Sequence, residues 1–145
     1  MIRLPLSLMV AGVLPFVIFS AVLPLHLFHD AQAATGLLLT YAVIIVSFLG
    51  GIHWGIAVLH HHEHRRISNL LITESVWAPL TAWGILLYGN IYAQLLVLTL
   101  LYSFIWSVDS LMYNNNLIPQ WFFNLSCVIT PIVVVSLYVA YFGLI

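Results

Sequence analysis

The stretch from Tyr41 to His64, YAVIIVSFLGGIHWGIAVLHHHEH, constrains the fold more than any other part of the chain. An apolar helix of about 20 residues, rising 1.5 Å per residue, covers the ~30 Å hydrocarbon core of a bilayer. Ser47, Gly51 and Gly55 recur every fourth residue, so they form a ridge of small side chains along one side of that helix. Such a ridge admits a neighbouring helix at close range. His53 falls roughly 160–200° around the helix from the two glycines, at about 100° per residue. A single helix therefore presents a packing groove on one side and an ionisable ring on the other.

The rest of the chain repeats the pattern. Hydrophobic residues make up 63% of the sequence and charged residues 5%, against about 25% charged in a soluble domain, which excludes a water-soluble globule. Three basic residues cannot build a phosphate-binding surface, so nucleic acid is not a partner. The single cysteine, Cys127, excludes an internal disulfide and a thiolate cluster within one chain. The expected fold is an all-α membrane protein, a single bundle of five transmembrane helices over residues 4–27, 37–60, 68–88, 91–113 and 119–144. The first segment is longer than a signal-peptide core of 7–15 residues and contains Pro15 and Pro24, so it reads as a retained span kinked near Pro15 rather than a leader cleaved after Ala33. His26, His29 and Asp30 form a polar loop, and Thr35-Gly36 leads into the second span. Ser68 is the expected N-cap of the third, Pro79 its kink, Gly89-Asn90 a turn, and Asn114-Asn115-Asn116 the end of the fourth. Arg3, Arg65 and Arg66 share one side of this five-span scheme. The excess of basic residues places that side in the cytoplasm or the matrix, with the N-terminus inside and the C-terminus outside. In a bacterium or a mitochondrion that membrane would be the inner one, and lipid is a constant partner.

The run Y-A-V-I-I-V-S-F-L-G-G-I-H-W-G from Tyr41, the W-A-P-L-T-A-W from Trp77 to Trp83, and a last span introduced by Pro119-Gln120-Trp121-Phe122 resemble the transmembrane protein 69-like family of small polytopic proteins. The resemblance implies a polytopic fold and attaches no activity to it. It also implies a basic residue near position 126, where this chain carries Ser126.

The informative residues are the ionisable ones inside the spans. His53, Glu74 and Asp109 lie about 12, 9 and 6 Å from the inner ends of spans two, three and four, and Asn124 in span five sits at the depth of Glu74. Four helices thus bring polar groups into one slab of the inner leaflet, and helical phase adds Thr81 to the Glu74 face and Tyr102 to the Asp109 face. An unpaired charge near the bilayer centre costs about 2.5–3.5 kcal/mol, so these groups are expected to turn inward and converge, with His53 pairing to Glu74. The cluster is either a ligand, cation or proton site or a hydrogen-bonded plug that fixes helix assembly. No nucleophile stands beside a base, and no oxyanion donor is identifiable, so enzymatic activity is not indicated.

His60 and His64, at i,i+4, are the weak candidates for a metal, since that spacing can put two imidazoles on one helical face. A structural site needs four ligands, and an interfacial polar cap is the favoured reading. No cofactor is called for: haem would need facing histidines on two spans. Trp54, Trp77, Trp83, Trp106 and Trp121 read as packing or interfacial-belt residues, with Trp77 and Trp121 closest to the polar slab. Two functions follow. The favoured one is an accessory or assembly subunit that docks into a larger membrane complex, among other membrane-protein subunits, through the Ser47/Gly51/Gly55 ridge. The alternative is a self-sufficient binding or transport unit built on His53, Glu74, Asp109 and Asn124.

Overall fold

The computed structural model describes residues 3–25 and 30–144. Five α-helices follow one another: α1 (Arg3–Val22), α2 (Ala31–His60), α3 (Arg65–Tyr88), α4 (Ile91–Asn114) and α5 (Gln120–Gly143). Among the described residues there is no strand, and all five helices are long and apolar enough to cross a membrane. His26 and His29, expected in the first loop, lie outside the described residues.

Two helices begin earlier than their hydropathy suggests. The Asp30 carboxylate accepts hydrogen bonds from the backbone N–H groups of Gln32 and Ala33 at 3.0 and 3.1 Å. That cap starts α2 at Ala31 rather than at position 37 and makes it a 30-residue helix. α3 starts at Arg65, with His64 at the N-cap and no side-chain cap bond, so Ser68 is not a cap but a buried residue inside the first turns. At α4 the Asn90 side chain accepts from the Ala93 N–H at 2.9 Å, while the Gln94 amide donates to the carbonyls of Leu86 and Gly89 and ties off the end of α3. The asparagine stop after α4 uses Asn116 at φ 58°, a left-handed conformation that asparagine tolerates.

α2 packs most extensively on α3, α4 on α5, and α1 on both α5 and α2. The α2–α3 crossing is made by Gly50: a Cβ there would stand 2.9 Å from the Ser75 carbonyl oxygen and 3.3 Å from the Pro79 ring. Pro79 lacks the N–H that would bond the carbonyl four residues back, so the Ser75 oxygen is left facing the neighbouring helix. Only a glycine lets α2 come that close. The buried part of α1 begins at Val13; the described side chains from Leu4 to Gly12 are exposed or partly so. Two phenols pin this region, Tyr41 donating to the Gly12 carbonyl at 2.8 Å and Tyr102 to the Ala42 carbonyl at 2.9 Å. Phe16 meets both rings edge-on.

The apolar core has two parts. A large cluster including Leu38, Val46, Ala78, Leu98 and Ile105 fills the middle and one end of the bundle. A smaller one, Ala57, Leu71, Val108, Met112, Leu117 and Ile118, closes the other end. The polar site lies between them.

Candidate functional site

His53 is fully buried on α2, and both its ring nitrogens face carboxylates: Nδ1 is 2.8 Å from Glu74 Oε2 on α3, and Nε2 is 3.0 Å from Asp109 Oδ1 on α4. The Ser126 hydroxyl on α5 donates to Asp109 Oδ2 in a short hydrogen bond. Four helices therefore meet in one chain of contacts, Glu74–His53–Asp109–Ser126. The Gly50–Ser75 crossing fixes its first link, because Gly50 lies one turn before His53 and Ser75 adjoins Glu74.

Each nitrogen–carboxylate contact needs one proton. The two protons can both reside on the ring, giving an imidazolium between two carboxylates, or one can reside on a carboxyl that donates to a neutral ring. Either distribution leaves the cluster with a single negative charge, in a site where His53, Glu74 and Asp109 are no more than 3% exposed. Glu74 uses only one of its oxygens. Oε1 is buried and has no hydrogen-bond partner among the described residues, which leaves room there for another proton.

The layer of Leu71, Met112, Leu117 and Ile118 separates this cluster from the ends of α2, α3 and α4 nearest to it. A different opening reaches it from the side. Asp109 and Ser126 form the polar end of a cavity of about 210 Å³ whose walls come from α1, α2, α4 and α5. Its rim includes the exposed Leu8 and Phe48, so it faces the acyl-chain region rather than a loop.

His53, Glu74 and Asp109, singled out from the sequence, come together. Asn124 does not: it is exposed on α5, and Ser126, about 200° further around the helix, takes the inward place. Ser126 was hidden from sequence reasoning because serines are common in membrane helices as self-satisfied hydroxyls, as Ser47, Ser103 and Ser107 are here. Thr81 is exposed, unlike the buried Glu74, whereas Tyr102 is buried and lines the cavity. The Ser47/Gly51/Gly55 ridge points outward, and a Cβ on Gly51 or Gly55 would meet nothing within 4 Å. Packing inside the chain uses its neighbour Gly50 instead.

His60 and His64 do not share a helical face, because α2 ends at His60 and His64 caps the start of α3. His60 Nδ1 is engaged by the Ile56 carbonyl at 3.0 Å, and among the described residues no three histidine, cysteine or acidic side chains are arranged to hold a metal ion. Trp54, Trp77, Trp83 and Trp106 are each between 39% and 56% exposed, as lipid-facing or belt residues are. Trp77 also packs on Phe104 at 5.3 Å.

The helices and this cluster define a multi-pass α-helical membrane protein with an acid–imidazole–acid site inside the bundle. The chain belongs to the family described as protein of unknown function (DUF3429), whose model matches residues 1–142. The match carries no link to the transmembrane protein 69-like group. Searches of curated proteins and of solved structures each gave no match.

Proposed function

We propose that this protein is a self-sufficient intramembrane binding unit that holds and exchanges a proton at His53, Glu74 and Asp109. The observation that supports it is the double engagement of His53, whose two nitrogens contact carboxylates from two other helices. A plug that merely fixed helix assembly would be served by neutral amides or hydroxyls. Two carboxylates around one imidazole are a costly way to obtain hydrogen bonds in a membrane. They also allow the cluster to gain or lose a proton without breaking its geometry. The basic residues Arg3, Arg65 and Arg66 support a reading with the N-terminus inside and the C-terminus outside, and with it a site in the inner leaflet of a bacterial or mitochondrial inner membrane.

The test is ring-nitrogen NMR of His53 in wild type, Glu74→Gln and Asp109→Asn across a pH series in lipid nanodiscs. The proposal expects both substitutions to change the His53 titration. A titration indifferent to both would overturn it.

A second reading is favoured by one observation, the open face at Gly51 and Gly55. In that reading the protein is an accessory or assembly subunit, and the ridge receives a helix of a larger complex.

A further inference from the structure

The lateral cavity sits beside the proton site, yet the His53–Glu74 link does not border it. Asp109 is the acidic group in its wall. Apart from the hydroxyls of Tyr102, Ser126 and Thr130, the remaining wall is apolar and rich in rings, with Phe16, Phe48 and Phe122 around Met9 and Ile129. A volume of about 210 Å³ exceeds the ~150 Å³ that houses a benzene ring in an apolar protein cavity. It is too small for a whole lipid tail. An occupant would place one ring inside and leave its chain in the bilayer, across the rim at Leu8 and Phe48.

The chemistry at the closed end selects the head of that occupant. Asp109 Oδ1 faces His53, and Oδ2 accepts from Ser126. A carboxylate oxygen has two acceptor positions, so each keeps one, and the cluster carries a surplus of one negative charge. The Tyr102 hydroxyl, which also lines the cavity, is committed to the Ala42 carbonyl. Thr130 also lines the cavity, and its hydroxyl can donate or accept, so the fixed feature of the closed end is the Asp109 acceptor.

We infer that the cavity binds a membrane amphiphile whose head is a hydroxyl-bearing ring, entering sideways from the lipid and donating its hydroxyl proton to Asp109 in a hydrogen bond. The inference deepens the proton-site reading by naming its ligand class, and it rests on that reading only in taking Asp109 as an ionised acceptor. α1 supplies the gate-side wall. Its described side chains are exposed or half-buried as far as Gly12, whose carbonyl Tyr41 holds, so the rim is bounded by a helix that is buried only from Val13 onward.

The experiment follows the methionine methyl signals of the full chain in phosphatidylcholine nanodiscs. Met9 lines the cavity, and Met112, in the loop-side apolar layer, serves as the internal control. The probes are 4-dodecylphenol, its methyl ether 4-dodecylanisole, and dodecylamine. The phenol is expected to move the Met9 signal saturably at a mole fraction about tenfold below that of the ether, the worth of one charge-assisted hydrogen bond. Asp109→Asn should reduce that preference to a few-fold or less. Ile129→Trp, which fills the cavity, should abolish saturation by both while leaving the His53 ring-nitrogen pattern of the folded protein in place. Equal saturation by phenol and ether in the wild type would overturn the inference, as would tenfold tighter binding of the amine, or a phenol preference that survives Ile129→Trp. A His53 titration indifferent to Glu74→Gln and Asp109→Asn, with the phenol preference intact, would instead remove the proton reading alone.

Discussion

Gly50 and Ser75 meet backbone to backbone: a Cβ on the glycine would lie 2.9 Å from the serine carbonyl oxygen. Neither atom belongs to a flexible side chain, so α2 and α3 must separate to admit even a methyl group. Gly50→Ala should destabilise the protein by about 1–3 kcal/mol, the usual cost of overpacking a tight contact. Reversible unfolding in mixed micelles measures it. Gly51→Ala, one residue on but facing open space, should stay within about 0.5 kcal/mol of wild type.

At the buried cluster the sign of an effect depends on what replaces the acid. Glu74→Leu removes one partner of a buried ion-paired group and should cost about 3–5 kcal/mol. Glu74→Gln keeps an oxygen and an N–H beside His53 and should cost about 1 kcal/mol. Equal losses in the same unfolding assay would mean that the contact is steric.

Ser126 and Asn124 should separate cleanly. Ser126→Ala withdraws the donor to Asp109 Oδ2 and is expected to cost about 0.5–1.5 kcal/mol and to shift the Nε2 signal of His53, which contacts the other oxygen of the same carboxylate. Asn124→Ala, at an exposed position, should leave both stability and the His53 spectrum unchanged.

The ridge offers a test of the subunit reading. Gly51→Leu should fold as wild type when purified, because among the described residues nothing lies within 4 Å of a Cβ at that position. In native membranes the same variant should lose any co-purifying partner. Retention of that partner would show that the face meets lipid.

Orientation is read from three arginines. A reporter fused to the C-terminus should be active outside the cytoplasm or matrix, and a reporter active on the inner side would remove the inner-leaflet placement of the site.

Five spans were legible in the sequence because apolar length is a property of each segment alone. The convergence of His53, Glu74 and Asp109 was legible because three rare ionisable residues at similar depth have only one another to meet. Asn124 misled, since depth was matched but the helical face was not, and a shift of two residues separates the exposed amide from the inward Ser126. The two adjacent glycines illustrate the same limit. Spacing by four picks out Gly51 and Gly55, while the contact belongs to Gly50, because what makes it tight is a carbonyl freed by Pro79 on another helix. The start of α2 was missed for a smaller reason: hydropathy does not register the Asp30 cap and the polar first turn that follows it.

The cluster also has an order in time. His53 leaves the ribosome first, Glu74 follows within 21 positions, and Asp109 only after 56. At about 5–20 residues per second, the α2–α3 hairpin exists for seconds as a pair with one acid and one imidazole, a combination that can be electrically neutral in lipid. The second acid then arrives as the surplus charge, and α5 brings the hydroxyl that receives it. Synthesis thus delivers the membrane a balanced pair before it delivers the imbalance, and the chain never has to insert its excess charge alone.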